Sequence, residues 1–248
     1  VVAGTVFAIT VGAALLGAVL RLRLPKHHLS DESRDVMKLV MGLVATMAAL
    51  VLGLLIASSK NFYDTQTAEL QTLSVNIIKL DGLLAEYGPE ARPLRDALRV
   101  GVVRGYRRIW PENGGPAVSI GEQPASQFHS LTRMFRSLSP QTDAQRALQA
   151  KAGEIASSIG EARLLMLEQV DNALNWPFLL ILVFWIAVLF LGFGLFAPPN
   201  ATAMVALVVG GLSAASAIFM ILEMSMPYDG LVRISPAPLL AALSLIGR

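Results

Sequence analysis

The chain has 248 residues, of which 54% are hydrophobic and only 15% charged, with a formal net charge of +2. The charged share lies well below the roughly 25% usual in soluble domains, which excludes an ordinary water-soluble globule, and so small a net charge gives no ground for a nucleic-acid partner. With 0 cysteines, disulfides, zinc–thiolate sites and thiol catalysis are excluded together.

Four stretches without a charged side chain are long enough to cross a bilayer core of about 30 Å. They are Val1 to Leu20, Leu39 to Ala57, Trp176 to Pro198 and Ala201 to Leu222. In hydrocarbon a single segment satisfies its backbone hydrogen bonds only as a helix. The first stretch lacks a basic start and is long for a signal core, so a retained helix is expected. The connection from Arg21 to Lys38 carries five cations (Arg21, Arg23, Lys26, Arg34 and Lys38) diluted by Asp31, Glu32 and Asp35. Cationic short loops tend to stay cytoplasmic, which would put the large region after the second span outside. His27-His28 beside Asp31 and Glu32 invites a metal, but adjacent residues diverge by about 100° on a helix and His129 is far away in sequence. No metal site is expected.

The second span has two unlike faces. Lys38, Gly42, Ala45, Thr46, Ala49, Gly53, Ile56 and Lys60 share one side of a helical wheel, with Val40, Leu43, Met47, Val51 and Leu54 opposite. A small face with an ammonium at each end suits a pore wall, narrowed at Ile56 and attractive to anions at its mouths. It suits close helix packing too, the plainer reading of the residues by themselves, with the lysines reaching the interfaces. Both readings stand on sequence alone.

No Gly or Pro interrupts Leu54 to Asp81, so one helix is predicted from about Asp35 to Tyr87, roughly 80 Å long at 1.5 Å per residue. Leu70, Leu73, Ile77, Leu80 and Leu84 form a heptad seam along it. Gly88-Pro89 ends it, and a shorter helix follows to Ile109 with Leu94, Leu98, Gly101 and Gly105 on one side. Arg92, Arg95 and Arg99 share a face of that helix, either an anion-attracting patch or a solvated surface neutralised by acids elsewhere. Trp110 to Pro124 reads as a loop, and a second seam runs through Leu148, Ala152, Ile155, Ile159, Ala162 and Met166. The two seams are expected to hold subunits in register.

Trp176-Pro177 opens the third span, and Asn200 is placed to cap the fourth. Gly210, Gly211, Ser213, Ala214, Ser216 and Ala217 permit close approach of a neighbouring helix. Glu223, at the end of that span, is either a functional carboxylate or one that reaches interfacial water. There is no Walker loop, dinucleotide fingerprint or nucleophile elbow, so no catalytic residue, cofactor or enzyme activity is expected. The expected architecture is all-α, an integral membrane protein with four transmembrane helices and an extramembrane helical bundle between the second and third. A first transmembrane hairpin covers 1–60, with spans at about 1–22 and 36–60. The bundle covers 61–175, a second hairpin covers 176–226 with spans at about 176–198 and 200–224, and a C-terminal segment covers 227–248.

Three segments together resemble the bestrophin-like domain family of bacterial membrane proteins. They are Asp35 to Ile56; Leu80-Asp81 with Tyr87-Gly88-Pro89-Glu90-Ala91; and Gly194-Leu195-Phe196-Ala197-Pro198 continuing to Pro236-Ala237-Pro238-Leu239. Through the more distant similarity to bestrophins, the resemblance implies a pentameric anion channel with the second span around the pore and cytoplasmic termini. That orientation opposes the one given by the loop charges. The acidic clasp and aromatic neck of bestrophins have no counterpart here, so calcium gating is not implied. The leading expectation is a homo-oligomeric ion channel for small inorganic anions, multi-pass in a bacterial inner membrane, with the lipid bilayer and its own copies as partners. The alternative is a membrane-anchored scaffold or sensor without transport. An ion-coupled transporter would want broken helices and polar residues at mid-bilayer, for which Thr46 and Ser213 are thin support.

Overall fold

The computed structural model describes residues 2–24, 31–111, 134–135, 138–171, 175–198 and 200–247. Seven α-helices stand out among them, with no strand: α1 (Val2–Arg23), α2 (Asp31–Tyr87), α3 (Arg92–Ile109), α4 (Asp143–Asp171), α5 (Trp176–Phe196), α6 (Ala201–Met224) and α7 (Ala237–Leu245). α2 is one uninterrupted helix of 57 residues, as its lack of breakers predicts. The expected loop after Trp110 lies mostly outside the described residues, as do His27, His28 and His129.

Two compact units divide the chain. One comprises 1–61 and 174–225, the other 62–173 and 226–248. The first holds α1, the early part of α2, α5 and α6, and α1, α2, α5 and α6 are each long and apolar enough to cross a membrane. Pro177 lies in the first turn of α5, where no helical amide is lost, and the Asn200 side chain accepts from the Ala203 amide at 2.8 Å, capping α6 as expected.

Close packing of backbone against backbone holds this unit together. A Cβ on Gly17 would meet the Leu191 carbonyl and the Leu195 amide, and a Cβ on Gly194 would meet the Ala14 carbonyl. In lipid the hydrophobic effect does not drive helices together, so such close approach is what stabilises them. Thr10, fully buried, directs its hydroxyl to the Phe7 carbonyl at 2.9 Å, which satisfies it without a partner helix. Gly210 and Gly211 fit the expected packing role, lying against Phe190 and Thr10, whereas Ser213 and Ser216 are exposed. Arg21 donates to the Ala197 carbonyl, tying the end of α1 to the end of α5.

The second unit is built on the first heptad seam. Ile77, Leu80, Leu84 and Tyr87 of α2 meet Leu94, Leu98 and Val102 of α3, Ala152 of α4, Leu239 and Ala242 of α7, and Ile246 just after it. Gly88 makes the turn between α2 and α3 with φ of 127°, a backbone region closed to most L side chains. The Gln145 side-chain amide donates to the Tyr87 carbonyl at 3.0 Å. A second cluster joins Leu70 and Met166 to Tyr228 and Ile234, with the Trp110 indole donating to the Ile234 carbonyl at 3.2 Å. Here the Tyr228 hydroxyl donates to Gln66 at 3.0 Å, and burial together with the Glu69 charge raises its pKa.

Two expectations are corrected. The seams pack inside one chain rather than standing open for a partner: Leu70 is 1% exposed, Leu84 1%, Ala152 1% and Met166 3%, with Leu148, Ile155 and Ile159 partly buried beside them. Val102 rather than Gly101 continues the buried side of α3, because a Cβ at Gly101 would meet nothing within 4 Å. The C-terminal segment forms α7, whose Leu239 and Ala242 join the second unit's core.

Candidate functional site

Within the first unit α2 has three sides. Ala48 and Leu55 are buried, with Met41, Val44, Ala45, Val51 and Leu52 packed beside them against the other helices. One third of a turn away, Lys38, Gly42, Thr46, Ala49, Gly53, Ile56 and Lys60 are exposed. A Cβ added at Gly42 or Gly53 would meet nothing within 4 Å. The third side is bulky and also uncovered, with Leu39 76%, Leu43 64%, Leu50 71% and Leu54 63% exposed. The small face is therefore not a packing seam within the chain. Of its eight expected members only Ala45 turns toward the packed side.

The chemistry along this face is modest. The Lys38 ammonium bonds the Asp35 carboxylate at 2.9 Å, with both groups largely exposed. Asp35 lies one turn before Lys38, and that i,i+3 spacing was legible as a local ion pair. The Thr46 hydroxyl donates to the Gly42 carbonyl at 2.9 Å, so its oxygen turns lone pairs rather than a proton outward. A groove beside Lys38 and Met41 is lined by Phe193, Phe196 and Leu207. Glu223 stands near the C-terminal end of α6, partly buried.

The expected arginine patch in the second unit divides. Arg95 makes a two-pronged ion pair with Asp81 at 2.9 and 2.8 Å, and Asp81 also accepts from the Gly247 amide at 3.2 Å. Burial works to raise the Asp81 pKa, but the hydrogen bonds from Arg95 and Gly247, with the Arg95 charge, outweigh it and hold the carboxyl below its ordinary value. Arg92 and Arg99 remain exposed, and Arg99 lines a shallow depression with Val100, Val103, Arg104 and Arg107. Arg163, on α4, has its pKa lowered by burial and by the nearby Arg108 charge. Among the described residues no group of three or more His, Asp or Glu side chains could hold a metal.

The sequence signature around Leu80-Asp81 and Tyr87-Gly88-Pro89-Glu90-Ala91 thus coincides with the α2–α3 turn and its ion pair. A family model, the bestrophin-like domain, matches residues 8–239. The chain belongs to the bestrophin-like domain family. No curated protein and no solved structure matches it. Membership and the four apolar helices make this bestrophin-like domain an integral membrane protein. The match spans α1 through the start of α7, so it includes both units.

Proposed function

We propose that the protein is a homo-oligomeric ion channel for small anions, with α2 lining a central pore and the second unit forming a helical bundle outside the bilayer. One observation carries this: among the described residues a Cβ at Gly42 or Gly53 would meet nothing within 4 Å, and Thr46, Ala49 and Ile56 beside them are exposed, although the side of α2 bearing Ala48 and Leu55 packs within its own chain. In a ring, a helix needs one side for its own subunit, one for the axis and one for the next subunit or lipid. The packed, small and bulky sides of α2 fall in that order around the wheel. Family membership supports the same reading, and the pentamer comes from the distant resemblance to bestrophins alone.

The ring multiplies each group by the subunit number. Asp35 offsets Lys38 at one mouth, and Thr46 offers no free proton, so the attraction for anions rests chiefly on the lysines. Ile56, 40% exposed on the same face, supplies an apolar collar that can close by excluding water. Purified protein in liposomes should show a conductance, and Lys38→Glu or Lys60→Glu should move the reversal potential toward that of a cation-selective pore. Flux equal to that of empty liposomes under every salt and pH tried would reject the channel and leave the scaffold reading.

A further inference from the structure

We infer that copies of this chain join head to tail, with the arginine face of α3 on one copy lying along the glutamate face of α4 on the next. This rests on the homo-oligomeric reading above and names the contact that would hold it. Because both heptad seams are largely taken up by packing within one chain, an assembly needs another surface in the second unit.

Two unlike surfaces are open. On the outward side of α3, Arg99, Arg104 and Arg107 surround Val100, which is 54% exposed, and Val103. On the outward side of α4, Glu154 and Glu161 are exposed along with Ser157, Ser158, Leu164 and Leu165. Among the described residues none of these arginines or glutamates forms an ion pair. A basic side and an acidic side on one chain cannot satisfy each other while both point away from the shared core. They can do so between copies, and a contact between two different patches closes into a ring when the rotation allows.

The levels match. α3 and α4 run in the same direction, because Gln145 near the start of α4 reaches Tyr87 just before α3, and Arg163 lies near Arg108 toward their other ends. Nine residues before Arg108 and Arg163 stand Arg99 and Glu154. Glu161 comes level with the stretch between Arg104 and Arg107, and Ser158 comes level with Val103, with Ser157 one position before it. Rotation about an axis parallel to these helices moves a copy sideways without shifting its height, so Arg99 meets Glu154, and Arg104 and Arg107 flank the level of Glu161. The small serines at the level of Val103 let the two helices approach closely. Such exposed pairs set register and partner choice more than raw affinity.

The full chain in nanodiscs at fixed concentration gives the test, read as native mass. Arg99→Glu with Arg104→Glu and Arg107→Glu should cut the assembled fraction about tenfold, as should Glu154→Arg with Glu161→Arg, and combining both sets should restore it. Because the chain has 0 cysteines, co-expressed Arg99→Cys and Glu154→Cys chains give a second readout that needs no charge reversal. A disulfide-linked dimer containing one of each should form on oxidation and be absent when either chain is expressed alone. Unchanged assembly in both reversed sets, failure of the combination to restore it, or no mixed disulfide overturns this contact. If the wild type is nevertheless assembled and conducting, the channel reading survives; a wild type that is monomeric at every concentration overturns both.

Discussion

Gly17 and Gly194 on one side, and Gly42 and Gly53 on the other, are the same residue type in similarly apolar helices, yet their surroundings are opposite. The first pair lies where α1 and α5 approach so closely that a methyl group would strike a backbone carbonyl. The second pair borders empty space in the chain. The same small-residue pattern therefore has two uses in this membrane unit. In the crossing the missing side chain is filled by protein; at Gly42 and Gly53 of α2 no described residue fills it.

A graded series of substitutions tests this contrast, and a carboxylate in the other unit sets its upper end. Asp81→Asn leaves the Arg95 guanidinium 15% exposed and without its carboxylate, and should cost about 3–5 kcal/mol in thermal unfolding of the second unit. The pH dependence has a definite sign. The folded carboxyl binds its proton less tightly than the unfolded chain, so its stabilisation is fully present above about pH 4 and is lost as pH falls through the depressed folded value. The melting difference between wild type and Asp81→Asn should shrink accordingly in acid. If it stays constant from pH 7 to strong acid, the ion pair is not its source.

Gly194→Ala comes next. A backbone carbonyl cannot swing aside as a side chain can, so a loss of about 3 kcal/mol or failure to fold is expected by detergent melting. Gly192→Ala meets only the flexible Met41 side chain and should cost about 1 kcal/mol. At Gly42 and Gly53, alanine should leave stability unchanged or raise it by up to about 1 kcal/mol through helix propensity. The opposite ranking, with Gly42 more sensitive than Gly194, would erase the contrast. Gly53→Leu sharpens it further: the monomer should melt normally while liposome flux falls severalfold. A normal flux would put the small face somewhere other than the conduction path.

Much of this was legible before any coordinates. Charge-free runs gave the four spans, Asn200 gave a cap, and Gly88-Pro89 gave the turn, because each is a local signal. The long α2 followed from a lack of breakers. What escaped was set by tertiary contact. Gly17 has no conspicuous pattern around it, and only its meeting with α5 distinguishes it from Gly12, which borders open space. The heptads correctly marked buried sides of α2 and α4, but periodicity does not say whether the partner is the same chain or another. Arg95 looked like its neighbours Arg92 and Arg99 because the acid that claims it lies on α2, across the turn. α7 was missed because nine residues are short for a helix and their cover comes from α2 and α3.

The bond from Arg21 to the Ala197 carbonyl joins positions 176 apart in the chain. At translation speeds of about 5–20 residues per second, the first span waits on the order of ten seconds or more after synthesis before its mate emerges. During that interval Gly17 and Ala14 present an unfilled notch to the lipid. Closure of this crossing is thus timed by synthesis, since the packing of α1 cannot be completed until the last third of the chain is being made.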